Sequence, residues 1–228
     1  MLGGLLMIYA SPASSLAQQK SGDEAARLFA YDRSTPLDLR EESSKETDGV
    51  TVKDISYAAH TPQRGRAKAY LVKPVGKGPF AGVVFFHWLG KPDGNREEFL
   101  NEAVSLAKRG VVSLLMQGYF PWAQPPTDAA ADRRRVIDQT IEVRRALDVL
   151  LAQPEVDRTR IAYVGHDYGA MYGALAAAAD ERVKAYVLMA GIGDFGNWSL
   201  KYWLDKIDDS NTAECPCLRP GHLSRYDH

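Results

Sequence analysis

The sequence predicts an α/β protein in which a mostly parallel sheet is covered by helices on both faces. Three observations predict it. Apolar runs of strand length alternate with helical stretches three times in succession between Ala81 and Met189, and strands separated in this way pair in parallel with the helices laid over the sheet. The strand runs are continuously apolar rather than alternating, as strands buried on both faces are. One unit, Thr159 to Gly191, reads as strand, sharp turn, helix and strand around the pentapeptide Gly165-His166-Asp167-Tyr168-Gly169.

The elements follow in chain order. Met1 to Ala10 holds a short apolar core, and Ser15-Leu16-Ala17 presents small residues where a signal peptidase cuts. Residues 1–17 are therefore expected to be an export signal and the protein periplasmic or secreted. No Lys or Arg precedes Lys20, so the usual positive n-region is missing; without a working signal the chain stays in the cytoplasm. Residues 18–49 are polar, with a short helical stretch at Asp23 to Tyr31, and read as a surface wrap or linker. From Val50 the pattern changes: Val50, Val52, Ile55 and Tyr57, then Ala69, Leu71 and Val72, flank a loop at Pro62 to Gly65 and read as an antiparallel strand pair.

Gly78-Pro79 breaks the chain before a buried central strand, Ala81 to His87. Phe99, Leu100, Ala103, Val104 and Ala107 form one face of a helix over Arg96 to Arg109, with Gly110 as its stop. Val111 to Met116 is the next buried strand, and Ala130 to Leu151 a longer amphipathic helix ended by Pro154. Ile161 to Val164 is a strand, the alanine-rich stretch Ala170 to Ala179 a helix, and Val183 to Met189 a further buried strand. Residues 205–228 contain no strand-like run and read as an irregular tail.

Composition excludes several functions. A net charge of −1 over 228 residues gives no electrostatic footprint for nucleic acid or an anionic membrane surface, and no apolar run is long enough to span a bilayer. No phosphate-binding G-x-x-x-x-G-K-[ST] pattern occurs, and Gly165 to Gly169 is too short for a dinucleotide loop. Cys215, Cys217, His222 and His228 do not have the spacing of a zinc knuckle, and the two cysteines give no disulfide framework. No cofactor or metal is implied. The expected partner is a small-molecule substrate; oligomeric state is not set by the sequence.

The pentapeptide carries the chemistry. G-x-D-x-G on a strand-to-helix turn has the form of a nucleophile elbow, with glycines that let neighbouring backbone approach closely. With the strand end Phe85-Phe86-His87-Trp88-Leu89-Gly90, it makes the region from Val50 to Trp203 resemble the α/β-hydrolase superfamily, and more narrowly its dienelactone-hydrolase-like branch. That resemblance implies an α/β-hydrolase fold over residues 50–204 and hydrolysis of a small ester, lactone or similar bond through a covalent intermediate at the elbow. It also implies two further strands after Gly191, one preceding a loop with the catalytic acid and one preceding the catalytic His. Neither is visible, so the domain reads as incomplete at its C-terminal end.

Most members of the branch carry Ser or Cys at the elbow, and this chain carries Asp167. The Asp resembles haloalkane dehalogenases and epoxide hydrolases, in which a carboxylate attacks an alkyl carbon and a His-activated water releases the ester. A carboxylate attacking a carboxyl ester would instead form an anhydride. By the resemblance, the backbone N–H groups of Tyr168 and Leu89 are the oxyanion donors, with Trp88 as the neighbour able to replace Leu89. Trp88 stands where the family often has glycine. Asp194 is a candidate acid, set against a solvated loop carboxylate. His87 is expected to hold its loop by hydrogen bonds and His166 to pack away from the site; His60, His222 and His228 match no family position. The alternatives to an active hydrolase are an inactive binding protein on this scaffold and a truncated gene product.

Overall fold

The computed structural model describes residues 23–61, 64–89, 95–119 and 129–192. Seven strands form one mixed sheet: β1 (Arg40–Thr47), β2 (Val50–Ala58), β3 (Arg66–Pro74), β4 (Phe80–Phe86), β5 (Val111–Met116), β6 (Val156–His166) and β7 (Ala185–Met189). Helices α1 (Leu100–Ala107), α2 (Ala129–Leu151) and α3 (Tyr168–Ala177) lie between the strands from β4 to β7, and residues 23–28 form a further helical stretch ahead of β1, within the one expected at Asp23 to Tyr31. The strand order is β1-β2-β3-β5-β4-β6-β7. β5, β4, β6 and β7 run parallel, and β1, β2 and β3 join through antiparallel pairings. The predicted α/β architecture, with its antiparallel pair and largely parallel core, is present.

The central strand shows why its residues are apolar throughout. Val84 and Phe86 face a core shared with Ile141, Leu147 and Leu150 of α2 and Met171, Tyr172 and Leu175 of α3. Val83 and Phe85 face a second core with Ala103 and Ala107 of α1, where the Phe85 and Phe99 rings stack at 5.1 Å. Successive residues of a strand point to opposite faces, so a strand covered on both sides has no polar position.

Three boundaries differ from expectation for physical reasons. α1 starts at Leu100 rather than Arg96, because residues 95–99 form turns from which Arg96 and Glu98 reach Asp54 and His166 of the sheet. β6 begins at Val156, five residues before its apolar run; Arg158 to Arg160 are exposed and carry no burial signal. The polar segment read as a wrap supplies β1, which pairs with β2 from Arg40↔Ser56 to Thr47↔Val50. All eight of its residues are exposed, so it has no apolar alternation by which to recognise it. Residues 29–36 of the wrap are tied to the domain: Phe29 is buried, Tyr31 donates to Asp148 Oδ2 at 2.6 Å, and buried Arg145 donates to the carbonyls of Thr35, Pro36 and, in β2, Ala58.

α3 crosses the end of β4 at backbone contact. A Cβ on Gly169 would lie 2.0 Å from the Phe86 carbonyl oxygen, closer than any side chain is tolerated. Gly169→Ala is expected to cost about 3 kcal/mol or more, the upper end for overpacking, read as a lower denaturant midpoint. Gly65→Ala is the comparison: a Cβ there meets nothing within 4 Å, and its positive φ alone costs about 1–2 kcal/mol. Equal losses at both positions would show that the close approach does not constrain the fold.

Candidate functional site

The site lies where β4 and β6 end, at the C-terminal edge of the parallel strands. There Asp167 joins β6 to α3 with φ 53° and ψ −111°, a backbone region that L-residues other than glycine avoid. Its N–H donates to Met189 O at 2.8 Å and its carbonyl accepts from Met171 N–H at 3.0 Å, so the turn is held from β7 and from the first turn of α3. Glycine is required on both sides. A Cβ at Gly165 would sit 2.3 Å from Gly169 O, and that carbonyl also accepts a 2.6 Å hydrogen bond from buried Tyr163 Oη.

The structure brings Asp167, Tyr168 and Leu89 together. Leu89 N–H donates to Asp167 Oδ2 at 3.3 Å, and Tyr168 N–H also bonds the carboxylate. The two donors assigned to an oxyanion thus meet the elbow's own side chain. Burial raises the Asp167 pKa above the usual carboxylate value, against the lowering effect of the Leu89 and Tyr168 N–H groups and then of His166; the Glu98 charge adds to the rise. Desolvation wins because these bonds only partly replace the water that the half-buried carboxylate gives up.

The loop after β4 is fixed by side chains. His87 is buried, its Nδ1 lies 2.6 Å from Trp88 O, and its Nε2 accepts from Gly118 N–H at 2.9 Å. Nε2 therefore carries the lone pair and Nδ1 the proton. Burial lowers the His87 pKa despite its bond to Trp88 O, so the neutral ring holds the loop as expected. Trp88 N–H is committed to Glu98 Oε2 at 2.7 Å, which leaves the Leu89 N–H as the one directed at Asp167.

His166 does not pack away from the site. It is half-buried, its Nδ1 lies 2.5 Å from Glu98 Oε1, and its ring lies 6.2 Å from that of Trp88. The imidazole instead meets Glu98, in the turn before α1. His60 sits at the far side of α2, with its N–H on Glu142 Oε1 at 2.5 Å and its ring 3.8 Å from Asp138. Glu98 was missed by sequence reasoning: in Arg96-Glu97-Glu98 it looks like one charge on a solvated helix face. Asp194, His222, His228, Cys215, Cys217, the export segment 1–17 and the tail 205–228 lie outside the described residues. Among the described residues no cluster of His, Cys, Asp and Glu could hold a metal ion, and no helix is long and apolar enough to cross a membrane.

No protein-family model and no curated protein sequence matches the chain. Solved structures do. An acetyl xylan esterase 1 from Thermoanaerobacterium sp. JW/SL YS485 superposes with a TM-score of 0.65 at 15% identity, over 94% of this chain and 78% of that one. An acetyl xylan esterase from Paenibacillus sp. R4 gives 0.61 at 20% identity, over 92% and 72%. A glucuronoyl esterase from Solibacter usitatus gives 0.59 at 14% identity, over 90% and 68%. At such identities the likeness is one of fold, and the dienelactone-hydrolase-like branch rests on the sequence motifs alone. Sheet order, elbow and these superpositions agree that the chain has the α/β-hydrolase fold.

Proposed function

We propose that this chain is a hydrolase whose reaction begins at Asp167, acting on a small ester, lactone or related substrate and best suited to one attacked at a saturated carbon. The observation that carries the reading is the Asp167 carboxylate itself, on a strained elbow and hydrogen-bonded by Leu89 and Tyr168 N–H. Such strain costs about 1–3 kcal/mol and persists where the surrounding structure enforces it, most often at functional sites.

An alkyl halide or epoxide suits the site for a chemical reason. One carboxylate oxygen attacks the carbon and the C–halogen or C–O bond breaks; the bonding pair leaves with the halide, or stays on the epoxide oxygen, which remains attached to the substrate and takes a proton from solvent. The product is an ester of Asp167. Water then adds to the ester carbonyl, passing its proton to a base. The carbonyl oxygen becomes the oxyanion, and the donors already on Asp167 are placed to stabilise it. Collapse expels the alcohol and restores the carboxylate. Fold likeness supplies no substrate, so the chemistry rests on this geometry.

A second reading is a non-catalytic binding protein. It is favoured by one observation: His87, at the end of the central strand, is engaged through both ring nitrogens and is not poised to activate water.

Three outcomes test the proposal. In a panel of chromogenic esters and halide-release assays, turnover is expected and Asp167→Ala abolishes it; a folded, monodisperse chain with no turnover supports the binding reading. One turnover in 18O-labelled water should place label in the peptide containing Asp167, and an unlabelled peptide overturns attack at the ester carbonyl. Since the raised pKa of Asp167 must be passed before the nucleophile is charged, activity should rise with pH along a limb whose midpoint lies above the ordinary value of about 3.9.

Strain predicts a stability gain. Asp167→Gly should raise stability by about 1 kcal/mol, the relief of φ strain less glycine's added chain entropy. A destabilised variant in thermal or denaturant unfolding would show that the elbow stores no strain.

A further inference from the structure

Three backbone groups leave the end of β4 within two residues, and each has a separate partner. Trp88 O faces His87 Nδ1 at 2.6 Å, Trp88 N–H donates to Glu98 Oε2 at 2.7 Å, and Leu89 N–H donates to Asp167 Oδ2 at 3.3 Å. The last bond is long for N–H···O and weakens steeply with further displacement. Glu98 meets the second half of the site with its other oxygen, Oε1, at 2.5 Å from His166 Nδ1. One carboxylate therefore joins the loop that carries the Leu89 N–H to the strand end that carries Asp167.

The geometry assigns Glu98 as the positioning residue of this site: it clamps the loop after β4 to the end of β6, and so sets the Leu89 N–H on the Asp167 carboxylate.

The clamp has a fixed base. Two residues before Glu98, Arg96 makes a bidentate pair with Asp54 of β2, Nη1 to Oδ1 and Nη2 to Oδ2 both at 2.7 Å. Its Nη1 also donates to Ala69 O at 3.0 Å, and its guanidinium lies 3.9 Å from the centroid of the Tyr70 ring. A bidentate, stacked arginine restricts both position and orientation. The Glu98 side chain is only 17% exposed, so water competes weakly for its two oxygens, and the Trp88 ring lies beside the His166 ring, tilted by 32°. The arrangement accounts for Trp88 at a position where the resemblance leads one to expect glycine. Residues 87–89 are held by hydrogen bonds to side chains rather than by a residue free to turn.

The clamp predicts a behaviour that a merely structural ion pair would not show. If Glu98 sets the Leu89 bond, its loss must uncouple Leu89 from Asp167 while sparing Tyr168, which is joined to Asp167 covalently and belongs to α3. The experiment is a pH titration of isotopically labelled protein by NMR, following the Asp167 carboxyl carbon and the amides of Leu89 and Tyr168. In the wild-type chain both amides should follow the carboxyl. In Glu98→Ala the Leu89 response should fall by about half or more, as expected when a long hydrogen bond is displaced, and the Tyr168 response should persist. Glu98→Gln keeps the size and one acceptor oxygen, so it should give a smaller loss, and it carries the test if the alanine variant does not fold.

Unchanged Leu89 amplitude in both variants overturns the assignment, as does a wild-type Leu89 amide that ignores Asp167. Equal loss at Leu89 and Tyr168 also overturns it, because that is the signature of a general disturbance. The titration needs no substrate. A chain without turnover would therefore defeat the nucleophile reading while leaving the clamp to be judged by its own result.

Discussion

Everything at the candidate site depends on the distance between two stretches of backbone. α3 meets the end of β4 so closely that the Phe86 carbonyl occupies the space a side chain at position 169 would need. Gly165 and Gly169 likewise leave no room between them for a Cβ. These approaches seat the first turn of α3 on the central strand. They bring Tyr168 N–H and Leu89 N–H, which are 79 residues apart in number by simple difference of position, to the same carboxylate. Without the two glycines the chain could keep its sheet and still lose the site.

The strain at Asp167 is the counterpart of that packing. A φ of 53° at an aspartate is sustained because Met189 O, Met171 N–H and the glycine contacts hold the turn from three sides. The side chain is thereby projected at the strand ends and half removed from water, and its pKa rises. The two N–H groups oppose the rise without cancelling it. Such a carboxylate is less strongly solvated than one in water, a condition that suits a nucleophile more than a surface ion.

The N-terminal segment contributes to the fold through a different physics. Arg145, buried in α2, donates to the backbone carbonyls of Thr35 and Pro36 in the segment and of Ala58 in β2. A buried guanidinium requires such partners, so the segment is tied to the domain even though little of it is apolar. The same logic places Tyr31 on Asp148. The fold therefore extends to residues that hydropathy assigns to a polar wrap.

How much of this was legible in the sequence follows from range. Local signals sufficed for β4 and β5, whose burial on both faces demands apolar runs, and for the elbow, whose glycines and central residue lie within five positions. β7 has the apolar run of a buried strand, but all of its residues except Tyr186 are exposed among the described residues. Once the motifs suggested a known fold, local signals sufficed also to place Leu89 beside Asp167, where its N–H meets the carboxylate. What the tertiary structure decided was long-range and polar. β1 has no apolar alternation because both its faces are exposed; only its pairing with β2 makes it a strand. Glu98 and His166, separated by 68 positions, carry no mark of their pairing in either local sequence. A charged residue has the same local signature whether it faces water or closes a site, and its partner is chosen by the fold.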